Sequence, residues 1–395
     1  MYIISALILI SIVMAAKLVS RWRLPLVAIA LAAGIFFGSD VTGVIYFDNS
    51  MLAKQIADLC LVFVLFIGGF GTRKDVLKAV FWPSIALSTI GVALTAGVTG
   101  FLLHAVLGYG LYHALLLGCI ISSTDAAAVF SILRFPMTNP RLQMLTKTES
   151  ATNDPMAIVL TMVMVSLIGD KMQHPFAVSS TLFWQFASGI GIGLLIGFAG
   201  CYIFERIRSL DRGYLYLFTI GIVLLSYGAA DMVMGSGMLS AFFAGYVMGN
   251  SKVLHRRAAV SAFFEALSAI ANAAIFVILG LLVFPREFGV IWVQGLALFV
   301  IITFIARPVA VLLCTAFSNF SIKEKVFVSW SGLRGAVPIV LATYPVAAGI
   351  EAGRDIFNII FFAVVLSLLF QGITINRVAQ RLGLADASAP ASEDQ

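Results

Sequence analysis

The stretch Gly118-Cys-Ile-Ile-Ser-Ser-Thr-Asp-Ala-Ala-Ala-Val-Phe130 places four consecutive polar residues, ending at Asp125, inside a long apolar run. Serine, threonine and aspartate side chains compete with a helix for its backbone hydrogen bonds. An interruption of the helix there would leave backbone amide and carbonyl groups facing a buried ion. An ionisable side chain within a membrane is costly, so its presence indicates a function. The stretch therefore predicts a broken membrane helix with a functional carboxylate.

The composition of the whole chain also indicates a membrane protein. Of its 395 residues, 61% are hydrophobic and only 11% are charged, against about 25% charged residues in soluble domains. The apolar runs are longer than the roughly 9–11 residues of a membrane β-strand. We predict an all-α integral membrane protein with no room for a soluble catalytic domain, and therefore not an enzyme.

Breaks that are charged or rich in Gly or Pro divide the chain into about thirteen transmembrane segments. These are roughly 2–18, 24–39, 55–71, 79–107, 111–134, 147–169, 180–206, 213–231, 237–250, 259–284, 289–316, 324–348 and 355–381. Of the 25 Lys and Arg residues, 19 fall on one side of this arrangement and four on the other. The positive-inside rule then places the N-terminus outside and the C-terminus in the cytoplasm. Residues 382–395 are predicted to be a disordered cytoplasmic tail.

A second interruption, Trp330-Ser-Gly-Leu-Arg-Gly-Ala-Val-Pro338, lies in the twelfth segment. Its glycines and proline weaken a helix, and Arg334 brings a positive charge to the break. Two broken helices at corresponding places in two halves indicate a transporter site. We therefore predict inverted repeats, spans one to six against eight to thirteen, whose two discontinuous helices cross. The alternative is a pair of kinked packing helices with a structural Asp–Arg bridge.

The sixth segment opens with Thr148-Glu-Ser-Ala-Thr-Asn-Asp-Pro-Met156. Glu149 and Ser150 lie one helical turn before Asn153 and Asp154, so the four side chains share a face. Pro155 frees a carbonyl in the preceding turn. Carboxylate, amide, hydroxyl and carbonyl oxygens are ligands for hard cations. One carboxylate can hold a proton or a monovalent cation but hardly both, so the pattern predicts a competitive site.

Other chemistry has little support in the sequence. The four cysteines occur singly in apolar runs and the four histidines have no metal-binding spacing, so we expect no cofactor. The net charge of +6 follows the positive-inside pattern, so we expect a lipid bilayer and no nucleic acid as the surroundings.

At these motifs the chain resembles the bacterial monovalent cation:proton antiporter-1 family, the NhaP-like group, and is most similar to its potassium/proton branch. The resemblance covers essentially the whole chain, and the combination of motifs is specific. The matching motifs are Gly68-Gly69, Ser123-Thr124-Asp125-Ala126, Glu149-Ser150-x-x-Asn153-Asp154-Pro155, Ala306-Arg307-Pro308 and Gly332-Leu333-Arg334-Gly335-Ala336-Val337-Pro338.

The resemblance implies an ion site with named roles. Asp154 resembles the aspartate that binds the ion and the proton, and Asp125 resembles its partner. Thr124 and Ser150 would offer further oxygen ligands to the monovalent cation. Asn153 resembles the neutral member of an Asn-Asp pair that accompanies electroneutral one-for-one exchange.

Two buried arginines, Arg307 and Arg334, resemble those that balance charge and organise this site. One position departs from the pattern, because Ile67 stands where many relatives have an acid before Gly-Gly. Arg307 therefore lacks its expected partner. Glu149, which we also include among the ion-binding residues, or a backbone carbonyl would replace that acid.

The resemblance further implies a homodimer in the bacterial inner membrane, with a role in pH homeostasis. Residues 1–381 would form the antiporter domain. Its core helices, about 79–169 and 289–381, would move against dimerisation helices at about 1–71 and 180–284. The expected function is the exchange of K⁺ or Na⁺ for H⁺ by alternating access.

Two other functions use the same polar residues. A cation channel would need a continuous pore. An intramembrane aspartyl protease would need Asp125 and Asp154 to share a proton within a few ångströms of each other, which neighbouring arginines disfavour.

Overall fold

The computed structural model describes residues 10, 13–14, 26–125, 128–129, 133, 137, 139–169, 175–206, 211–251 and 257–384. Most of the predicted first span, 2–18, lies outside these ranges, and so does nearly all of the predicted tail. The regular elements within the described ranges are helices. The predicted all-α architecture is confirmed for this part of the chain.

We number the α-helices in chain order. They are α1 Leu26–Phe37, α2 Ser50–Gly71, α3 Lys74–Ala86, α4 Val92–Leu107, α5 Leu111–Ile121, α6 Pro140–Ile168, α7 Pro175–Arg206, α8 Arg212–Met232, α9 Gly237–Asn250, α10 Arg257–Leu281, α11 Phe288–Ile301, α12 Arg307–Cys314, α13 Ile322–Trp330, α14 Ala336–Ala347 and α15 Gly353–Arg381. A single 3₁₀ turn, Pro285–Glu287, precedes α11.

Within the described ranges from residue 26 onward, the helices follow the predicted segments closely. Eight helical stretches in the described part of the chain are long and apolar enough to cross a membrane, and α5, α14 and most of α1 form shorter apolar helices. The shortest predicted span, 237–250, coincides with α9. The hydrophobic pattern therefore identifies the helices correctly, although not always their ends.

The start of the sixth segment is the main correction. Helix α6 begins at Pro140 and not near residue 147, and its N-cap is Asn139, whose side chain accepts the Arg141 N–H at 3.0 Å. Asn at the N-cap followed by Pro at the first helical position is a strong start signal. The charges of Arg141 and Lys147 suggested a loop instead. Glu149 therefore lies in the middle of a 29-residue helix that continues through Pro155.

Two spans contain a π-helical turn at matching positions. Leu87–Gly91 joins α3 to α4, and Ile302–Ala306 joins α11 to α12. Helix α12 packs against the first π turn, and α4 packs against the second. Such turns are frequent at functional sites, and the second one ends directly before Arg307. The reciprocal packing suits two related halves, while the inverted repeat itself remains a prediction.

Helix α9 packs between α2 and α7, and most of its residues are buried. A Cβ atom at Gly245 would lie 2.2 Å from the Phe66 carbonyl oxygen, and one at Gly193 would lie 2.5 Å from the Ser240 carbonyl oxygen. Small residues that let helix backbones approach closely are typical of membrane interfaces. These contacts make α2, α7 and α9 one tightly packed group.

A polar cluster joins this group to α14. Lys54 Nζ lies 2.6 Å from Asp58 Oδ2, and the Tyr344 hydroxyl donates to Asp58 Oδ1 at 2.8 Å. Lys54 Nζ also lies 4.2 Å from the centre of the Tyr344 ring. Both carboxylate oxygens of Asp58 therefore have a partner. Nearby, Arg354 at the start of α15 pairs with Asp48 in the connection before α2.

Candidate functional site

Two helices end inside the stretches where the sequence predicts interruptions. Helix α5 ends at Ile121, and residues 122–125 are not helical. Helix α13 ends at Trp330, and α14 begins only at Ala336 after the non-helical residues 331–335. The crossing of two discontinuous helices remains a prediction, because residues 126–127 and 130–132 are outside the described ranges.

The two non-helical segments contact each other directly. The Asp125 backbone N–H donates to the Leu333 carbonyl at 2.7 Å. A Cβ atom at Gly335 would lie 2.1 Å from Asp125 Oδ2, so only glycine leaves room for the carboxylate. Asp125 Oδ1 accepts the Ala128 N–H at 3.0 Å, as an N-cap carboxylate does at the start of a helix. The backbone of the second interruption therefore fixes the position of Asp125.

Asp154 faces the first interruption from α6. The Ser123 hydroxyl donates a short hydrogen bond to Asp154 Oδ1. Ser123 is buried and Asp154 is half-buried. A carboxylate in these surroundings has lost much of its hydration, so a counter-charge or a proton stabilises it strongly. The hydroxyl of Ser123 is thus a neighbour of Asp154 that the motif comparison alone does not identify.

Thr124 is held by two residues of α6. The Ser150 hydroxyl donates to the Thr124 carbonyl at 2.7 Å, and Asn153 Nδ2 donates to Thr124 Oγ1 at 2.6 Å. Asn153 is fully buried, and its Oδ1 atom has no hydrogen-bond partner among the described residues. A buried oxygen of this kind is unusual and needs an explanation. The structure therefore brings four of the predicted site residues, Thr124, Ser150, Asn153 and Asp154, to one place.

Arg307 forms a two-pronged ion pair with Glu149. Its Nη1 and Nη2 atoms donate to Glu149 Oε1 and Oε2, each at 2.7 Å, and the two side chains are 4% and 1% exposed. Planar guanidinium and carboxylate groups match in this geometry. Glu149, one of the two alternatives proposed from the sequence, is thus the partner of Arg307 in this structure. Both Glu149 oxygens accept hydrogen bonds from Arg307, so its participation in ion binding stays a prediction.

Arg334 has partners of a different kind. Its Nη1 atom donates to the Ser122 carbonyl at 2.9 Å and to the Ser123 carbonyl at 2.6 Å. Arg334 is 2% exposed, and Nη2 has no hydrogen-bond partner in the described part of the chain. Among the same residues, no carboxylate forms an ion pair with Arg334 within 4 Å. Its positive charge therefore lies against the backbone of the first interruption.

Several contacts of this site are not predicted from the sequence. Ser122 contributes only a backbone carbonyl, which no side-chain motif reveals. Ser367 and Gln371 on α15 contact the second interruption. The sequence signal for them is only a serine and an amide in a mostly apolar span.

The chain is similar to known antiporters along most of its length. A family described as sodium/hydrogen exchanger, transmembrane, matches residues 6–381. The K(+)/H(+) antiporter NhaP2 of Shewanella sp. (strain MR-4) is 34% identical over 383 residues, covering 96% of this chain. The K(+)/H(+) antiporter NhaP of Alkalimonas amylolytica is 35% identical over 384 residues, covering 97%. In both cases the match spans 66% of the relative, so this chain corresponds to about two thirds of those proteins.

A third relative and a solved structure are also antiporters to which this chain is similar. The Na(+)/H(+) antiporter ApNhaP of Aphanothece halophytica is 30% identical over 356 residues, covering 84% of this chain and 65% of the relative. The structure of the sodium proton antiporter MjNhaP1 from Methanocaldococcus jannaschii at pH 8 matches with a TM-score of 0.82 and 25% identity, over 96% of this chain and 99% of that one. The predicted resemblance is confirmed, and the chain belongs to the transmembrane sodium/hydrogen exchanger family.

Proposed function

We propose that this protein exchanges a monovalent cation, K⁺ or Na⁺, for H⁺ across the membrane, with one ion replacing the other at Asp154. The relatives named for K⁺/H⁺ and for Na⁺/H⁺ exchange support both cations as substrates. The family match supports a multi-pass membrane transporter over an enzyme. The identity of the preferred cation is decided by the experiment below.

The distribution of charge around the two interruptions carries the proposal. Glu149 and Arg307 cancel each other in a closed pair. Arg334 offsets one of the two carboxylates, Asp125 and Asp154, which lie beside the same non-helical segments. When both aspartates are ionised, one negative charge remains, and moving a net charge through a membrane is costly. Either a proton or a monovalent cation neutralises it, so each passage carries one ion of one kind.

The oxygen atoms around Asp154 suit a cation as well as a proton. The Thr124 carbonyl accepts from Ser150 but has a second lone pair, and so does Thr124 Oγ1. Asn153 Oδ1 is a buried oxygen with no hydrogen-bond partner among the described residues. Asp154, Thr124 and Ser150, with Asp125 from the adjoining segment, are the proposed cation ligands. Oxygen ligands of this mixture are those that hard cations prefer.

Exchange further requires that the site open to one side at a time. We propose that the core helices, about 79–169 and 289–381, move against the dimerisation helices, about 1–71 and 180–284. The close packing of α2, α7 and α9 supports one of these rigid units. The Lys and Arg distribution supports a cytoplasmic C-terminus, and we propose a homodimer in the bacterial inner membrane.

Proton efflux from proteoliposomes tests the proposal. Vesicles holding the purified protein and an imposed pH gradient receive Na⁺ or K⁺ in turn, with and without an ionophore that clamps the voltage. We expect cation-dependent dissipation that is insensitive to voltage, loss of exchange in Asp154→Asn, and normal exchange in Asp231→Asn, a control at the exposed end of α8.

Three outcomes would contradict the proposal in different ways. Absence of any response to cations would exclude cation/proton exchange by this chain. A rate that depends on voltage would exclude one-for-one stoichiometry. A cation current without proton movement would indicate the channel instead.

A further inference from the structure

Two of the buried polar side chains of helix α15 lie beside the second interruption and outside the proposed ion site. Ser367 and Gln371 lie one helical turn apart, and each is 1% exposed. The helix that carries them is long and apolar enough to cross a membrane. Polar groups at this depth must find partners within the protein, because lipid offers none.

The partners of these two residues are the two ends of the second interruption. Gln371 Nε2 donates to the carbonyl of Trp330, the last residue of α13, at 3.0 Å. Ser367 Oγ accepts the backbone N–H of Arg334 at 3.1 Å. Ser367 Oγ in turn donates to Gln371 Oε1 at 2.5 Å. The two side chains therefore form a clamp, the Ser367–Gln371 clamp, across residues 331–335.

The clamp satisfies backbone groups that the break exposes. A helix end leaves carbonyl and amide groups without partners, and an unsatisfied group is strongly destabilising within a membrane. The Leu333 carbonyl is satisfied by Asp125 from the first interruption. The Trp330 carbonyl and the Arg334 amide receive their hydrogen bonds from the clamp. Without it, these two groups would favour rewinding α13 and α14 towards a continuous helix.

Rewinding would move Arg334, because its backbone position sets the direction of its side chain. The guanidinium now donates to the Ser122 and Ser123 carbonyls. The Ser123 hydroxyl donates to Asp154. Gln371 and Ser367 are thus linked to Asp154 by hydrogen bonds through two intervening residues, Arg334 and Ser123, each of which bonds through its backbone on one side and its side chain on the other.

We propose that Ser367 and Gln371 are positioning residues for the exchange, because they hold the second interruption open and thereby direct Arg334 at the segment that contacts Asp154. The inference rests on the proposed function. It assigns to α15 a part in the affinity for the cation, although neither side chain contacts Asp154.

The test compares three changes on one helix. Ser367→Ala and Gln371→Leu remove the clamp, and Ser367→Thr keeps the hydroxyl. Thr374→Val is the matched control, because Thr374 Oγ1 accepts from the indole Nε1 of Trp330 at 3.2 Å but does not touch the backbone of the break. Cation-dependent proton efflux is measured over a range of cation concentrations and pH values, with the amount of folded protein determined by size-exclusion chromatography.

We expect Ser367→Ala and Gln371→Leu to raise the KM for the cation about tenfold, because each loses the hydrogen bond between the two side chains and also its hydrogen bond to the backbone of the interruption, which is worth about that factor. We also expect both variants to shift the midpoint of the pH profile. Ser367→Thr should restore the wild-type values, and Thr374→Val should keep them. A KM and a pH profile that stay at wild-type values in both clamp variants, with only the maximal rate lowered, would overturn the proposal.

A second measurement does not depend on transport. Hydrogen–deuterium exchange at the Arg334 amide should accelerate in Ser367→Ala but not in Thr374→Val if the clamp holds the interruption. Equal protection in wild type and Ser367→Ala would overturn the clamp while leaving the proposed function intact. Failure of the proposed function would instead appear as an absent cation response in the wild-type protein.

Discussion

Arg307 and Arg334 are both buried beside the interrupted helices, yet the two guanidinium groups bind different kinds of partner. Arg307 gives two parallel hydrogen bonds to one carboxylate, Glu149. Arg334 gives its hydrogen bonds from one nitrogen to two backbone carbonyls, those of Ser122 and Ser123. The first arginine is neutralised within its own pair, whereas the second keeps a positive charge beside the aspartates.

The difference indicates two separate uses of the same residue type. A closed ion pair adds no net charge to the site and mainly joins α12 to α6. A guanidinium on backbone carbonyls leaves its charge available to offset a carboxylate, and it also holds a non-helical segment in place. We therefore expect changes at the Arg307 pair to affect stability first and changes around Arg334 to affect exchange first.

The largest expected effect comes from opening the closed pair. Glu149→Ala leaves the Arg307 guanidinium buried with no counter-charge, and removing one partner of a buried pair costs about 3–5 kcal/mol. We expect a large drop in the melting temperature in detergent. The double variant Glu149→Ala/Arg307→Met should recover much of the loss, because it removes the unpaired charge as well. A melting temperature of Glu149→Ala close to that of the wild type would show that the pair is not a closed structural unit.

Two glycines in the second interruption test, through the rate of transport, whether the surroundings of the aspartates matter more for exchange than those of Arg307. A Cβ atom at Gly335 would lie 2.1 Å from Asp125 Oδ2, whereas one at Gly332 would lie 2.9 Å from Arg307 Nε, so that a much smaller shift relieves the contact. Gly335→Ala must displace Asp125 by about 1 Å, a misplacement that can cost roughly 100-fold in rate. Gly332→Ala should lower the rate far less. The initial rate of cation-dependent proton efflux is measured for both variants. Equal losses of rate would contradict the expected difference between Gly335 and Gly332.

Lysine substitutions at the two arginines test the difference between their hydrogen-bond partners. Lysine cannot reproduce two parallel hydrogen bonds to one carboxylate, so Arg307→Lys should lose about one charged hydrogen bond, roughly 1.5–3 kcal/mol. Arg334 uses a single nitrogen towards its two carbonyls, which an ammonium group can replace more completely. We expect Arg334→Lys to retain exchange within about tenfold and to melt close to the wild type. The opposite ranking of the two variants in thermal stability would refute the assignment.

The sequence predicts the helices and the two interruptions because both depend on local composition. Apolar runs of about 20 residues identify spans, and the polar stretch at 122–125 and the glycines around Arg334 mark the breaks. The sequence places the start of α6 too late, because the two basic residues Arg141 and Lys147 outweigh the capping signal of Asn139 and Pro140. A charge count near a span end is therefore a weaker boundary signal than a cap.

The partners of the two arginines could not be predicted with the same success. Glu149 and Arg307 are 158 residues apart in the chain, and only the missing acid at Ile67 suggested that another group had to replace it. The partners of Arg334 are backbone carbonyls, which every residue has and which therefore leave no pattern in the sequence. Long-range side-chain pairs can be proposed from the sequence, while side-chain contacts to backbone cannot.

The smallest expected effect on stability and exchange is at an exposed ion pair, with which the two buried arginines can be compared. Arg354 and Asp48 form a charge pair whose side chains are 54% and 30% exposed. Water and salt screen such a pair, so its net contribution is about 0–1 kcal/mol. We expect Asp48→Asn to leave the melting temperature and the exchange rate nearly unchanged and to make any small difference disappear at high salt. A loss as large as that of Glu149→Ala would mean that charge pairing itself stabilises the protein, and burial would no longer explain the contrast between Arg307 and Arg334.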